Sequence, residues 1–207
     1  AQQDISKVNG SVRTEAGGQY GSLETVNGSV HVESGVVARS VETVNGSVQV
    51  AENAQVASVE TVNGSVSIGE NVAVTGDVET VSGRIDIGAG SRIGGGVEAV
   101  NGAVTLTRAR VGGAVETVNG GVTLKGTEIA GNVETVNGDV LIGRDSVVRG
   151  DIVVRKPRGL SFGNSARKPK VTIESGATVQ GHLRFEREVE LSVAPDADVA
   201  HSVPVER

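Results

Sequence analysis

Aliphatic and polar residues alternate in a pattern that recurs every 18 or 19 residues along the chain. The motif Glu-Thr-Val-Asn-Gly marks each recurrence, and aligning the repeats on its Val gives four aliphatic columns. They stand at that Val, three residues before it, and four and six residues after it. The Val column itself comprises Val8, Val26, Val44, Val62, Val81, Val100, Val118 and Val136. A fixed period of this length predicts a solenoid of stacked coils rather than a globule.

Spacing between the columns predicts short strands separated by corners. The last two columns are two residues apart, which is strand alternation, so both should point inward. The spacings of three and four residues bring the other side chains inward only if the chain bends between the columns. A second spacing of six residues links Val44, Val50 and Val56 and continues to Val74. Three sixes make one coil of 18 residues, which predicts three parallel sheets around a triangular core.

The predicted fold is an all-β, single-stranded parallel β-helix (a solenoid), three-sided, with about 18 residues per coil. A right-handed helix is preferred over a left-handed one, because the third side departs from strict sixes: the next inward Val comes three residues after Val56 but four after Val74. One domain is expected to cover residues 1–207. Within it we expect regular coils over 5–154, a basic irregular insertion over 155–170, and degenerate C-terminal coils with a cap over 171–207.

Stacking should turn each repeated polar position into a ladder along the rod. Asn precedes Gly in seven of the eight repeats; its amide should bond to the Asn of the next coil, and the Gly should take a positive φ at the corner. The motif glutamates should form a second ladder: Glu24, Glu42, Glu60, Glu79, Glu98, Glu116 and Glu134. Their mutual repulsion at ~4.8 Å should raise their pKa values. The ladder is either a negative stripe that binds cations or a basic partner, or a solvated face that keeps the rod soluble.

A basic segment with no acidic residue interrupts the repeats. Its basic residues are Arg155, Lys156, Arg158, Arg167, Lys168 and Lys170. Prolines and glycines make the segment irregular, and it is either an anchor for a polyanion or for the glutamates of another molecule, or an ordinary surface loop. Leu160 and Phe162 are expected to pack back on the rod. Charged residues and prolines are expected to block the edge of the last coil, namely Glu186, Arg187, Glu188, Pro195 and Pro204.

The amino-acid composition argues against several kinds of functional site. The chain has 19 basic and 25 acidic side chains, one Tyr, two Phe and no Cys, Met or Trp. The net charge of −6 disfavours a nucleic-acid-binding body, the lack of Cys excludes thiol chemistry, and no run of 18 apolar residues predicts a transmembrane segment. The histidines, His31, His182 and His201, stand in no catalytic constellation. We therefore expect no enzymatic activity, no catalytic or metal site and no cofactor.

Parts of the chain resemble three protein families. The repeated Glu-Thr-Val-Asn-Gly-Ser-Val, as at residues 60–66, resembles the repeats of bacterial adhesin-type domains of unknown function, and the resemblance spans about residues 5–143. Those domains are similar to right-handed, three-sided β-helices. Residues 171–181 resemble bactofilins, the polymer-forming bacterial cytoskeletal proteins. Residues 68–74 resemble the hexapeptide repeat of left-handed β-helix acyltransferases, but the catalytic His loop and C-terminal helix of that family are not identifiable here.

The resemblance to adhesin domains implies a non-enzymatic structural or adhesive rod of the bacterial cell envelope, with repeated polar ladders for multivalent contact. Its expected partners are an envelope polymer, an anionic surface or further copies of itself, without specific nucleic-acid recognition. The opening Ala1-Gln2-Gln3 looks like a mature exported chain, which favours a periplasmic, cell-surface or secreted location, although a trimmed chain would look identical. The alternatives are a cytoplasmic, bactofilin-like self-assembling scaffold and, third, an acyltransferase-like protein. Ligand, handedness and oligomeric state stay open.

Overall fold

The structure, a computed structural model, describes residues 2–158 and 167–202, and every regular element within them is a β-strand. The first strands are β1 (Gln3–Asn9), β2 (Val12–Arg13), β3 (Tyr20–Asn27), β4 (Val30–Val32), β5 (Val37–Asn45), β6 (Val48–Val50), β7 (Gln55–Asn63), β8 (Val66–Ile68), β9 (Ala73–Val74), β10 (Val78–Ser82), β11 (Ile85–Ile87), β12 (Arg92–Ile93) and β13 (Val97–Ala99). The remaining strands are β14 (Val104–Thr107), β15 (Arg110–Val111), β16 (Val115–Thr117), β17 (Val122–Lys125), β18 (Glu128–Ile129), β19 (Val133–Thr135), β20 (Val140–Ile142), β21 (Val147–Val148), β22 (Ile152–Val154), β23 (Lys170–Ile173), β24 (Thr178–Phe185), β25 (Glu190–Val193) and β26 (Asp198–Ser202).

These strands stack in parallel into a solenoid of about ten coils, which confirms the predicted fold. One stack, the ten-stranded face, runs β2-β4-β6-β8-β11-β14-β17-β20-β23-β25. A second stack, the glutamate face, runs β1-β3-β5-β7-β10-β13-β16-β19-β22-β24 and carries the motif glutamates. A third, the arginine face, runs β9-β12-β15-β18-β21 and carries Arg92 and Arg110. The last two faces join because β7 and β24 continue around a corner and pair with both.

Aliphatic columns fill the space between the three faces. On the ten-stranded face the two predicted columns are confirmed: from Val12 to Ile173 their side chains are at most 3% exposed. The column three residues before the motif's Val is also buried, from Leu23 to Leu183. In the last coil the ten-stranded face opens to solvent, where Leu191 is 44% exposed. The core therefore depends on the neighbouring coil at each level, as in other solenoids.

The Val column of the motif was predicted to be buried, and that prediction is wrong. In β7 the alternation continues through Glu60-Thr61-Val62, so Thr61 is 1% exposed and Val62 points outward. The chain bends after Asn63, where the strand ends. Thr61 is accommodated in the core because its hydroxyl donates a hydrogen bond of 2.9 Å to the carbonyl oxygen of Gly46 in the preceding coil. The same inward position holds Thr25, Thr43, Thr80, Ala99, Thr117 and Thr135.

The Asn-Gly step forms the corner after the glutamate face. The predicted amide ladder is confirmed: each Asn Nδ2 donates to the Oδ1 of the preceding coil at 2.8–3.0 Å, in two runs that Ser82 separates. The prediction of a positive φ for the Gly holds only at Gly10. Elsewhere Gly is required by close approach, since a Cβ on Gly46 would lie 2.0 Å from the carbonyl oxygen of Gly28. The corners are therefore too tight for any side chain at this position.

The corner before the glutamate face changes between early and later coils. In β7 this corner contains two residues between the inward Val56 and Val59. From Val74 onward the corner contains three residues, including a glycine such as Gly76. Because Val59 still pairs with Val78, the extra residue is absorbed at the corner and the columns stay aligned. This explains the irregular spacing on the third side of the coil.

Leu160, Phe162 and Pro204, to which the sequence analysis assigned packing or blocking roles, lie outside the described residues. The coils formed by β23 with β24 and by β25 with β26 follow the basic segment, in register with the coils before it. In the part of the chain that the structure describes, no buried side-chain nitrogen or oxygen lacks a hydrogen-bond partner.

Candidate functional site: the glutamate face

The seven motif glutamates lie in one unbroken column on the outside of the glutamate face. Each is the register partner of the glutamate in the next coil, from Glu24 to Glu134. Adjacent strands of a sheet are about 4.8 Å apart, which sets the spacing between successive Glu Cα atoms. The column begins after Ser6 and ends at Val153, the register partner of Glu134. The backbone therefore holds seven carboxylates in a line.

The pKa values of three glutamates of this column are shifted in the predicted direction. Burial, followed by the charges of the neighbouring glutamates, raises the pKa of Glu42, Glu79 and Glu116. Mutual repulsion was the only cause predicted from the sequence, but burial is the larger cause because the side chains lie partly between flanking residues. Both causes disfavour the charged form, so ionisation of Glu42, Glu79 and Glu116 opposes folding.

A column of exposed valines runs beside the glutamates. Val26, Val44, Val81 and Val118 are 37–43% exposed, and Val8 at the N-terminal end is 66% exposed. The two columns are two residues apart along each strand, or about 7 Å. Shallow grooves lie between them, floored by the threonine positions. The face thus presents a stripe of negative charge parallel to an apolar stripe.

Arg155 closes this striped surface at its C-terminal end. Its guanidinium binds Glu134 through Nη2 at 2.9 Å and Nε at 3.3 Å, and Nη1 lies 3.6 Å from Glu186 in the next coil. Arg155 follows Val154, the register partner of Thr135, so it takes the place that Val136 takes one coil earlier. An arginine and its acidic partners therefore replace the valine column at the point where the glutamate column stops.

The predicted basic segment has acidic partners within the chain. Arg167 binds Asp139 at 2.6 Å, Lys168 binds Glu188 at 2.6 Å, and Lys170 lies 3.9 Å from Glu190. The side chains of Lys156 and Arg158 are exposed and make no ion pair with the described residues. Sequence reasoning missed these partners, although the 20-residue intervals from Lys168 to Glu188 and from Lys170 to Glu190 were visible.

Charge pairing in this segment also perturbs titration, in the opposite direction to the glutamate ladder. Burial alone would raise the pKa of Asp139, but the backbone amide of Lys170 and the guanidinium of Arg167 outweigh it and lower the pKa. The hydrogen bond and charge of Lys168 lower the pKa of Glu188. Residues of the predicted basic site thus take part in stabilising contacts between coils.

Sequence reasoning also missed a groove on the arginine face. The groove has a volume of about 580 Å³, and Arg92, Arg110, Arg149 and Glu128 line it above a floor of small residues. Arg110 and Arg149 both contact Glu128. The 18-residue interval from Arg92 to Arg110 was the sequence signal that could have revealed this second charged column.

The histidines and remaining features add no further cluster. His31 Nδ1 lies 3.0 Å from Gln49 Oε1 on the ten-stranded face, and His182 Nδ1 lies 3.5 Å from Asp151. Over residues 2–158 and 167–202, no three His, Asp or Glu side chains are grouped to hold a metal ion. Within the same ranges no helix has the length and apolar character needed to cross a membrane.

Comparison with known proteins identifies no relative of this chain. It matches no protein-family model, no curated protein and no solved structure.

Proposed function

We propose that the protein is a non-enzymatic adhesive scaffold of the bacterial cell envelope, whose glutamate face binds a repetitive partner with cationic groups beside apolar ones. The observation that carries the proposal is the pair of parallel stripes, one of carboxylates and one of exposed valines, extending over successive coils. The envelope location rests on the resemblance to adhesin domains.

Repetition is what gives such a face its binding strength. An exposed ion pair contributes about 0–1 kcal/mol, so no single glutamate binds tightly. Apolar area adds about 25 cal/mol for each Å² removed from water, and the exposed valines supply that area next to the charges. Because seven successive coils present the same pair of groups, a repetitive partner engages many coils at once and the later contacts become intramolecular.

The raised pKa values favour this role over that of a passive solvated face. A cation placed beside Glu42, Glu79 or Glu116 would relieve the repulsion between neighbouring glutamates and offset the effect of burial on the charged form. Binding of a basic partner and ionisation of the ladder therefore support each other. A face designed only for solubility would gain nothing from carboxylates in direct register.

A second candidate function is a self-assembling scaffold of the bactofilin kind, joined end to end. It is favoured by the last coil, in which Leu191 and Val193 are 44% and 40% exposed and β25 pairs, among the described strands, only with β23. An unpaired parallel edge with exposed apolar side chains is a template for another chain. Electron microscopy would separate the two functions, since filaments that grow from the coil ends are expected only for the second.

The test of the first function is capture of poly-L-lysine by the immobilised protein, measured by surface plasmon resonance at several salt concentrations. The triple variant Glu60→Gln/Glu79→Gln/Glu98→Gln should bind at least about tenfold more weakly, because it interrupts the centre of the ladder. The control is Glu15→Gln/Glu52→Gln/Glu70→Gln, which removes the same charge from exposed turns that face elsewhere. Equal weakening in both variants would show that net charge, not the ladder, attracts the probe.

A further inference from the structure

Two columns on the arginine face mirror the two columns of the glutamate face. Arg92 and Arg110 are register partners and point outward in one column, the arginine column. Two residues later along the chain, just past the end of each short strand, comes the small-residue column, which lines the groove on this face: Thr75, Gly94, Gly112 and Ala130. Each face therefore carries a charged column and a second column about 7 Å away, with ~4.8 Å between coils. The arginine column spans two coils, and Ala73 and Glu128 stand before and after it in the same register.

The second columns are complementary in shape as well as in spacing. On the glutamate face the second column is a ridge of exposed valines. On the arginine face it is a trough, because Gly94 and Gly112 have no side chains and Ala130 has only a methyl group. A valine ridge fits into such a trough, and burial of the exposed methyl groups there is favourable.

Only one orientation of two rods matches both columns at once. Along the chain in each coil the glutamate precedes the valine, and the arginine precedes the small residue. If two rods lie face to face with parallel axes, the order of the columns is reversed and glutamates oppose the small-residue column. If one rod is turned upside down, the order agrees: arginines oppose glutamates and the trough receives the valines.

We propose that the glutamate face of one copy docks on the arginine face of a second copy, with the rod axes antiparallel. This inference rests on the proposed function of the glutamate face and names its cationic, repetitive partner as another molecule of the same chain. Because the contact joins two different faces, each copy keeps one face unused, so further copies can add in the same way.

Arg92 is the central cation of this contact. It is exposed and has no ion pair with any described residue, so nothing competes for its guanidinium. Arg110 lies 3.6 Å from Glu128, which is also bound by Arg149. An incoming carboxylate column would allow Arg110 to bind a glutamate of the partner copy while Arg149 retains Glu128. Arginine suits this exchange because its planar guanidinium binds a carboxylate through two hydrogen bonds.

The size of the contact predicts a weak, concentration-dependent association. An overlap of seven coils with a strand width of five residues covers about 550 Å² on each copy. That is below the area of about 800 Å² per partner in a standard stable interface. Each copy also has a net charge of −6, so long-range repulsion must be screened; at 0.15 M salt the screening length is about 8 Å, which leaves direct ion pairs effective.

The test is sedimentation velocity over a concentration series at 0.15 M salt, with two charge-reversal variants. Arg92→Glu/Arg110→Glu and Glu79→Arg/Glu98→Arg should each raise the concentration needed for association at least about tenfold, since like charges then face each other. A chain that carries both pairs of changes should associate again, because the charges are exchanged between faces. The control is Lys125→Glu/Arg144→Glu, which reverses two exposed cations outside both faces and should associate as the parent chain does.

Thermal unfolding of every variant verifies that the coils are intact, so that loss of association is not loss of fold. The inference is overturned if the parent chain remains monomeric, or if the chain with both reversals fails to regain association while its fold is intact. Capture of poly-L-lysine distinguishes the two proposals. If the parent chain binds poly-L-lysine but stays monomeric, only the identity of the partner is wrong; if it does neither, the glutamate face is not a docking surface.

Discussion

The regular coils and the two C-terminal coils share one backbone plan but treat surface charge differently. In the regular coils the outward column of the glutamate face repeats the same charge from Glu24 to Glu134. Around the last coils, side chains of opposite charge face each other in neighbouring coils, as in the pairs of Arg155 with Glu186 and Lys168 with Glu188. The first arrangement raises carboxylate pKa values and the second lowers them.

This difference shows that the like-charged ladder is not a requirement of the fold. The C-terminal coils stack in register with paired charges, so the same solenoid is compatible with surfaces that stabilise it. The raised pKa values of Glu42, Glu79 and Glu116 in the regular coils therefore support the binding role proposed for the glutamate face. Three kinds of substitution sharpen or break the comparison.

The largest effect is expected in the core, which is buried in the regular coils and partly exposed in the last coil. Val66→Asp places an unpaired carboxylate in a fully buried column and should destabilise the protein by more than about 4 kcal/mol, unfolding neighbouring coils. Leu191→Asp occupies the same column in the last coil, where the side chain is 44% exposed, and should cost about 1 kcal/mol or less. Urea unfolding followed by circular dichroism measures both.

Ser67→Asp serves as the control for the added charge, because Ser67 is exposed between the buried Val66 and Ile68. It should change stability by no more than about 0.5 kcal/mol. Similar losses for Val66→Asp and Ser67→Asp would contradict the inward assignment of this column and with it the alignment of the coils.

An intermediate effect is expected at the boundary between the two regions. Arg155→Met keeps most of the side-chain volume but removes the guanidinium that binds Glu134 and lies beside Glu186. A loss of about 1–2 kcal/mol should follow, because hydrogen bonds to charged groups are among the stronger ones. Arg144→Met removes an exposed arginine whose side chain makes no described ion pair, and it should be nearly silent. Equal effects of the two substitutions would mean that Arg155 does not stabilise the boundary.

The smallest effect, and the only stabilising one, is expected for Glu60→Gln/Glu79→Gln/Glu98→Gln. Removing like charges directly opposite each other should raise stability by about 1 kcal/mol at pH 7 and low salt, or roughly 2–4 °C in Tm. High salt should reduce the gain because it screens the repulsion that the substitution removes. Glu15→Gln/Glu52→Gln/Glu70→Gln should leave Tm nearly unchanged. A lower Tm for the ladder variant would show that bound cations or basic groups stabilise the glutamates.

The pH dependence of the parent chain should separate the two regions without any substitution. Glutamates with raised folded-state pKa values bind more protons in the folded state, so stability should increase as pH falls from 7 to about 5. Asp139 and Glu188 have lowered pKa values, so their stabilising contribution should persist at pH 5 and disappear below about pH 4. Unfolding in urea at each pH should therefore show a maximum near pH 5; a steady decline from pH 7 would contradict the ladder.

Much of this architecture could be predicted because a period is visible in sequence. The spacing of residues such as Val66 and Ile68 defines two buried positions on a strand, and stacking follows from their recurrence. Thr61 and Val62 could not be assigned correctly by the same reasoning. Both are β-branched, apolarity favours Val for the core, and the carbonyl oxygen of Gly46 that satisfies the Thr61 hydroxyl belongs to another coil.

The candidate site was predictable in part for a similar reason. The glutamate ladder recurs in seven coils, so its alignment was evident, but the exposed valines beside it were hidden by the wrong assignment of that column. The groove with Arg92 and Arg110 was not predicted because its charged column spans only two coils. Its floor consists of small residues that carry no charged or reactive group. Such a surface becomes recognisable only when the register of the third face is known.

The corner before the glutamate face tolerates two lengths, which bears on how the chain can be lengthened by whole coils. It accepts two intervening residues after Val56 or three after Val74 while the columns on either side stay aligned. A gene duplication that copies a unit of 18 or 19 residues therefore adds one more glutamate and one more valine in line with the others. The length of the striped surface then depends on the number of copies of a short genetic unit, and the coils themselves need no other change.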